Sequence, residues 1–334
     1  MVRVAINGLG RIGRCIIRAA IELNKADIHI VAANGTAKPE DYVPLIKYDS
    51  VHGTYQEDIT CEGDYIHIGK HKIQILSQSN PELIPWDKLD VDIVLECTGK
   101  FTNKTDAEKH IKAGAKKVIV SAPCQDADAT IVYGVNNHVL NKDCDVISIG
   151  SCTTNALAPI IKVLNDNVGI ECGYMTTIHS YTNDQNLLDN RHKDPRRARA
   201  CTLSMIPTST GAAKAIGLVM PELKGKLAGS AIRVPTPNVS LIDLTFNASR
   251  KTTKEEINKF IIDAANKEFK NIIGVAETTM VSIDFNHNPN SSIFDPYETQ
   301  VVSDKMIRIV SWYDNEWGFA ARMLDVAKLF NSLL

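Results

Sequence analysis

The sequence predicts an α/β protein, with an N-terminal domain built on a parallel sheet and then an α+β domain whose sheet is mostly antiparallel. Three observations carry this. The first half alternates short, almost continuously apolar strands with helices, the pattern of a parallel sheet covered on both faces. A glycine-rich turn, with Gly8, Gly10 and Gly13, stands between the first such strand and the first helix. The second half changes texture, to longer strands of alternating polarity that suit a sheet with one covered face. At 334 residues the chain can hold two domains, each with its own core.

Taken in order, "VRVAI" is a β-branched strand, "NGLGRIG" the turn, and "RCIIRAAIEL" an amphipathic helix. "IHIVAAN" is the second strand, and "DYIHIGKHKIQILS" alternates and turns at Gly69-Lys70, as an inserted hairpin would. "VDIVLECTG", "KKVIVSA", "TIVYGV" and "DVISIG" read as further apolar strands, with "KTDAEKHIKAGA" a helix between the first two. Beyond residue 150, "YMTTIHSY", "GSAIRVP", "VSLIDLTFN" and "VVSDKMIRIVSWYD" read as strands, and "TKEEINKFIIDAANKEF" as a covering helix. Between 180 and 205 lies a polar, basic stretch of weak periodicity, a length of loop that is usually functional or interfacial. The predicted boundaries are 1–150 for a dinucleotide-binding domain and 151–315 for a catalytic domain. A terminal helix over 316–334 is expected to pack back on the first domain.

Composition narrows the function. The net charge of −2 provides no global field for nucleic acid or an anionic membrane. No apolar run approaches the roughly 18–20 residues that span a bilayer. The first residues, "MVRVAINGLGRIGRC", place glycines and arginines where a signal peptide needs an unbroken apolar region. The eight cysteines, at 15, 61, 97, 124, 144, 152, 172 and 201, form no C-x-x-C pair and no zinc-finger spacing. Reduced thiols, a cytoplasmic location and no metal are the expectation.

The spacing of Gly8, Gly10 and Gly13 is the G-x-G-x-x-G of a Rossmann dinucleotide-binding domain. The first glycine permits the tight turn, the second lets backbone approach a pyrophosphate, and the third lets helix and strand pack closely. An acidic residue is expected about 20 positions on, at the end of the second strand, to hold the adenosine ribose 2′-hydroxyl. Here that strand ends "VAANGTAKPE", so Asn34 is followed by Gly35 and Thr36 and no carboxylate stands there to repel a 2′-phosphate.

"SIGSCTTNALAP" surrounds Cys152 with Ser151, Thr153, Thr154 and Asn155 and then runs into an apolar helix. A helix N-terminus stabilises a thiolate, and hydroxyls and free N–H groups there hold an anion. The candidate base is His179, at the end of the strand in "TTIHSYTNDQ".

These residues sit in a longer set of motifs: "INGLGRIGR", "KYDSVHG", "SAP", "SCTTN", "TTIHSYTNDQ", "RRARA", "PTSTGAAKA", "RVPTPNVS" and "WYDNEWG". In this order, over essentially the whole chain, they resemble the phosphorylating glyceraldehyde-3-phosphate dehydrogenases. The resemblance implies oxidation of D-glyceraldehyde 3-phosphate to 1,3-bisphosphoglycerate, reversibly, through a Cys152 thiohemiacetal and thioester. It makes His179 the residue that lowers the thiol's pKa and then the general base. Thr182, Arg197 and Arg233 become ligands of the substrate's phosphate. Ser151, Thr153, Thr210 and Gly211 become the site of inorganic phosphate, the co-substrate. Asn7, Gly8, Gly10, Arg11, Ile12, Gly13, Asn34, Gly35, Thr36, Thr98, Gly99 and Ser121 become cofactor contacts, with Asn315 orienting the carboxamide. A homotetramer is implied, with the 180–205 loop near a neighbour's cofactor, and a glycolytic or gluconeogenic role.

Three features depart from the family pattern. Ala156 replaces a common second cysteine, and "SIGSC" replaces "SNASC". Gly35 stands where strictly NAD-dependent members carry Asp, so NADP acceptance is as plausible as NAD alone, with Thr36 and a neighbour's Arg191 as candidate 2′-phosphate ligands. Erythrose-4-phosphate dehydrogenase shares look-alike features, "DATIVYGVN" and "VSIDFNHNP". That family tends to lose the Thr of "HSYT" and the "STGAA" cradle, both present here, which favours the first reading.

Overall fold

The computed structural model describes residues 1–334, which separate into two units: Met1–Ser151 with Phe319–Leu334, and Cys152–Gly318. In the first unit, Val2–Asn7 forms β1, Arg11–Glu22 forms α1 and Ile28–Asn34 forms β2. Pro39–Lys47 forms α2, whose first turn holds Pro39, Glu40 and Asp41, residues suited to the positive end of a helix. A short ribbon (β3, Tyr48–Asp49; β4, Gly53–Thr54) leads to β5 (Ile59–Glu62), β6 (Tyr65–Ile68) and β7 (His71–Leu76). β6 and β7 pair antiparallel around Gly69, at φ +53°, so the hairpin turns where its sequence indicated. β8 (Ile93–Glu96), β9 (Lys117–Val120), β10 (Ala129–Thr130) and β11 (Val146–Ser148) complete a nine-stranded sheet of order β10-β11-β9-β8-β1-β2-β7-β6-β5.

From β10 to β7 this sheet is parallel; only the β5–β7 meander is antiparallel. β1 lies between β2 and β8, and the register sets Asn7 beside Asn34 on one side and Glu96 on the other. The carboxyl ends of strands at such a reversal of strand order are where open α/β sheets bind ligands.

Two readings of this half need correction. "TIVYGV" is not a strand: β10 stops at Thr130, because Asn136 takes over the ladder's bonds. Its Oδ1 accepts the Val132 N–H at 2.8 Å and its Nδ2 donates to Thr130 O at 2.8 Å. "KTDAEKHIKAGA" forms two short helices, α3 (Lys104–Ala107) and α4 (Lys109–Lys112), interrupted at Glu108, where ψ relaxes to −16°.

The second unit contains α5 (Cys152–Val168), β12 (Ile170–Ser180), β13 (Ile206–Ser209), α6 (Ala212–Val219), β14 (Leu227–Val234), β15 (Ser240–Ala248) and α7 (Lys254–Asn266). β16 (Ile273–Val275), β17 (Ser292–Val302) and β18 (Met306–Tyr313) follow. The seven strands run β13-β14-β12-β15-β18-β17-β16, antiparallel except for β12 with β14 and β16 with β17. α5 lies across β12, β15, β17 and β18, flanked by α6 and α7. "VVSDKMIRIVSWYD", read as one strand, is a hairpin: Ser303 and Asp304, at φ +52° and +61°, turn β17 into β18. Residues 181–205 carry no helix or strand.

The last helix, α8 (Trp317–Asn331), lies almost wholly in the first unit, with Asp325 2.6 Å from Lys25 Nζ.

Candidate active site

The first unit ends in a tight turn at Gly150, at φ +67°, where Ser148 Oγ accepts the Gly150 N–H at 2.9 Å. α5 begins immediately after, with Cys152 as its first residue and partly buried. His179 is the penultimate residue of β12, and the parallel register with β14 sets it directly beside Arg233. Cys152 Sγ lies 3.5 Å from His179 Nε2. The other ring nitrogen, Nδ1, is 2.7 Å from Ser180 O and 2.7 Å from Arg233 Nη1, which itself donates to Ser180 O at 2.9 Å. Ser180 O asks for the ring proton on Nδ1, which would turn an Nε2 lone pair toward the sulfur, while the donor-only Arg233 asks for a bare Nδ1.

Burial, then the Arg233 charge, lower the His179 pKa to about 3. Burial also pushes the Cys152 thiol up, against the opposing pull of Arg233 and of hydrogen bonds from Thr153. Both directions favour the uncharged thiol and imidazole, and the positive charge beside the sulfur belongs to Arg233.

Thr153 Oγ1 is buried and lies 2.9 Å from Tyr313 Oη, which also lies 2.9 Å from Thr177 Oγ1. Tyr313, at the end of β18, thus ties the first turn of α5 to β12. The Thr153 hydroxyl, expected to face an anion, is engaged inside the fold; its backbone N–H belongs to the open first turn of the helix. Arg233 Nε is buried without a partner, a state suited to receiving an anion. Thr182 follows β12 by two residues and is partly buried. Arg197 is held by Asp184 at 2.5 Å and by Thr208 Oγ1 at 3.0 Å, and Thr208 in turn donates to Asp194 at 2.6 Å. Thr210 Oγ1 accepts the Ala212 N–H at 3.2 Å, and Gly211 is the N-cap of α6 with open space where a Cβ would be. Ser151 is partly buried at the end of the first unit.

Asn315 Oδ1 accepts from Ser180 Oγ at 2.8 Å and Ser240 Oγ at 2.9 Å, so the amide is turned to present Nδ2 as a donor. Tyr313, Ser180, Ser240 and the Asp184–Asp194–Thr208 clamp were not read as site residues. The first three lie inside "WYDNEWG", "HSYT" and "PNVS", which signal the site without revealing who bonds to whom.

The first unit carries the dinucleotide cleft at the ends of β1, β2 and β8. Its glycines fit a pyrophosphate. A Cβ on Gly13 would stand 2.1 Å from Gly8 O, and one on Gly8, at φ +106°, would stand 2.7 Å from Thr98 N. At Gly10, the N-cap of α1, nothing lies within 4 Å of that position, leaving the helix N–H groups open to the cleft. Arg11 is bidentate on Asp49, at 2.6 and 3.1 Å. Burial raises Asp49, yet Arg11 and the N–H groups of His52 and Val51 bring it down to about 2. Ile12 is half-buried beside it.

Beneath the cleft, Asn34 Nδ2 donates to Asn7 Oδ1 at 2.7 Å, and Asn7 Nδ2 donates to the buried Glu96 at 2.6 Å. Glu96 also accepts the Thr98 N–H at 2.7 Å, while the Ser121 N–H donates to Glu96 O at 3.0 Å. Gly99 takes φ +69° just beyond. Gly35 and Thr36 line the same cleft, with Tyr42 packed against them. Where the sequence lacks the expected carboxylate, the Tyr42 phenol occupies the space a side chain at Gly35 would take.

A cysteine–histidine pair at a helix N-terminus, in a chain with a dinucleotide cleft, defines an oxidoreductase that binds a nicotinamide dinucleotide. Residues 2–104 match the family model described as glyceraldehyde 3-phosphate dehydrogenase, NAD binding domain, and residues 151–315 match its C-terminal domain. The chain belongs to the glyceraldehyde-3-phosphate dehydrogenase family. It is 55% identical over 332 residues to the glyceraldehyde-3-phosphate dehydrogenase of Xanthobacter flavus, covering 99% of each chain. It is 54% identical to that of Cereibacter sphaeroides, over 100% of this chain and 99% of the relative. Glyceraldehyde-3-phosphate dehydrogenase 1 of Bacillus subtilis (strain 168) is 50% identical, over 98% of this chain and 97% of its own. No helix is long and apolar enough to cross a membrane.

Proposed function

We propose that this protein catalyses the reversible, phosphorylating oxidation of D-glyceraldehyde 3-phosphate to 1,3-bisphosphoglycerate, accepting NAD and NADP. The observation that carries the reading is Cys152 Sγ, at the start of α5, 3.5 Å from His179 Nε2. Sγ adds to the aldehyde carbon as Nε2 takes the thiol proton and passes it to the carbonyl oxygen, giving a thiohemiacetal. The same nitrogen then removes the hydroxyl proton as hydride leaves, and a thioester remains on Cys152. The nicotinamide ring supplies the hydride acceptor when bound. Inorganic phosphate attacks the thioester carbon, the C–S bond breaks, and the departing sulfur recovers its proton from His179.

Arg233, Thr182 and Arg197 hold the substrate's phosphate. The N–H groups of Thr153 and Gly211, with the hydroxyls of Ser151 and Thr210, hold the attacking phosphate. Asn7, Gly8, Gly10, Arg11, Ile12, Gly13, Asn34, Gly35, Thr36, Thr98, Gly99 and Ser121 form the dinucleotide's bed. Asn315 donates to the carboxamide. We infer a cytoplasmic location and a homotetramer, the association supported by exposed Leu187, Leu188, Leu203 and Met205 in the 181–205 stretch.

The deciding experiment follows NADH and NADPH formation with glyceraldehyde 3-phosphate, with and without phosphate, against erythrose 4-phosphate. Phosphate-dependent formation with the triose is expected. Absence with both cofactors overturns the enzyme reading, and faster turnover of the tetrose replaces the substrate.

A further inference from the structure

β2 delivers the chain to Gly35 at the point where a dinucleotide site ordinarily carries its acid. A Cβ built on Gly35 would meet Tyr42 Oη at 2.1 Å and Tyr42 Cζ at 2.7 Å, so no side chain fits there while the phenol stays. The phenol is firmly placed. Tyr42 is buried in α2, and its Oη accepts the Thr36 N–H at 3.0 Å and the Ala37 N–H at 3.1 Å. The loop that would have to yield is pinned at both ends. The Gly35 N–H donates to Leu76 O at 2.9 Å, and the Lys38 N–H donates to Asp41 Oδ2 at 3.2 Å. Two successive backbone N–H groups converging on one oxygen are the arrangement that elsewhere grips an anion. Here they already hold the phenol oxygen, and they leave its own proton as the group it can offer.

We propose that Tyr42 is the specificity-determining residue at the adenosine-ribose end of the cofactor site, its phenol standing in the acid's place against Gly35. A carboxylate there accepts from a 2′-hydroxyl and repels a 2′-phosphate. A phenolic O–H donates to either, so dinucleotides with and without the 2′-phosphate are both admitted. The inference rests on the proposed acceptance of NAD and NADP and deepens it: residues 35 and 42 compete for one volume, and the pair sets the 2′ preference.

The test is equilibrium binding by calorimetry to the full chain, with adenosine 5′-monophosphate and adenosine 2′,5′-bisphosphate as probes. The wild-type protein, Gly35→Ala, Gly35→Asp, Tyr42→Leu and the double variants Gly35→Ala/Tyr42→Leu and Gly35→Asp/Tyr42→Leu are compared. Gly35→Ala weakens both probes about tenfold and lowers the melting temperature; adding Tyr42→Leu relieves most of both effects. Gly35→Asp alone weakens both probes and changes their ratio less than about threefold. Gly35→Asp/Tyr42→Leu shifts the ratio against the bisphosphate by tenfold or more. The proposal is overturned if Gly35→Asp alone discriminates tenfold with monophosphate affinity intact, or if Gly35→Ala is tolerated without loss. A wild-type protein that rejects the bisphosphate a hundredfold removes the NADP reading and the donor role, while the Gly35→Ala cycle with the monophosphate still decides whether the phenol holds the space. Should Tyr42→Leu not fold, Tyr42→Val, which removes the whole ring that an added Cβ would meet, takes its place in the Gly35→Ala cycle, with the same relief expected and its absence overturning the proposal.

Discussion

Tyr313→Phe removes a single oxygen and tests how the nucleophile's helix is anchored. The Tyr313 hydroxyl lies 2.9 Å from both Thr153 Oγ1 and Thr177 Oγ1. Tyr313 and Thr177 are 1% exposed and Thr153 is 4% exposed, so no solvent stands by to replace the lost bonds. Each hydrogen bond contributes about 1 kcal/mol net, and the Thr177 hydroxyl, left buried without this partner while Thr153 keeps the Cys152 sulfur, adds a desolvation cost, which puts the loss at roughly 2–4 kcal/mol. Replacing both threonines as well, in Tyr313→Phe/Thr153→Val/Thr177→Val, leaves no orphaned partner and should recover at least half of that.

Urea unfolding at neutral pH, with protein concentration held fixed, reads both numbers from the shift in midpoint at constant slope. Turnover should fall with Tyr313→Phe as well, because Thr153 is the residue after Cys152 and its side chain is what Tyr313 holds. A Tyr313→Phe protein within about 0.5 kcal/mol of wild type refutes the anchoring argument, and so does a triple variant no more stable than the single one.

Three further outcomes follow from the same geometry. Cys152→Ser should abolish phosphate-dependent oxidation while calorimetric NAD affinity stays within about twofold; retained turnover would assign the nucleophile elsewhere. His179→Asn should reduce kcat by roughly 10²–10⁴ in steady-state assays, the usual range for a positioned base, and a smaller loss would leave the proton to another group. His179 should also make the fold acid-sensitive. Its folded pKa of about 3 lies below the ordinary 6.5, so its contribution is complete above pH 6.5 and is lost as pH falls from there toward 3. At about pH 4.5 the loss is about 2–3 kcal/mol relative to neutral pH, and His179→Asn should show that much less acid destabilisation in paired urea titrations.

Much of this was legible in the residues themselves. Three glycines at fixed spacing admit few backbones, since Gly8 and Gly13 each answer to a contact a Cβ would forbid and Gly10 leaves the cleft side of the turn open, and strand–turn–helix follows from them. Cys152 was legible because four hydroxyl and amide residues around one thiol make no sense in an apolar core. The failures have a common cause. "TIVYGV" and "VVSDKMIRIVSWYD" are apolar or alternating enough to pass for strands, and only Asn136 and the left-handed pair Ser303–Asp304 decide otherwise, through bonds and backbone angles that leave little trace in periodicity. Tyr42 escaped notice because it meets Gly35 across a turn, seven residues on in the chain. The direction of the Cys152 and His179 shifts depends on burial, which a sequence ranks only by type.

Strand register explains why one guanidinium governs so much of the second unit. β12 and β14 run parallel with His179 beside Arg233, so the same charge faces the imidazole and the sulfur. Beside the imidazole it disfavours the protonated ring; beside the sulfur it favours the thiolate. A proton leaving Cys152 therefore gains from the sulfur's side and loses on the ring's side, which makes Nε2 a place of passage for protons. That is what the proposed chemistry asks of it, since His179 must take a proton, give it up and take another within one turnover. If the proposed reading holds, a substrate phosphate drawn to Arg233 would neutralise part of that charge and let the ring hold its proton longer, just when the thiohemiacetal hydroxyl has to be deprotonated. Recognition of the substrate's far end and basicity at its reacting end would then be joined through one side chain, a coupling set by which residues of two parallel strands lie opposite each other.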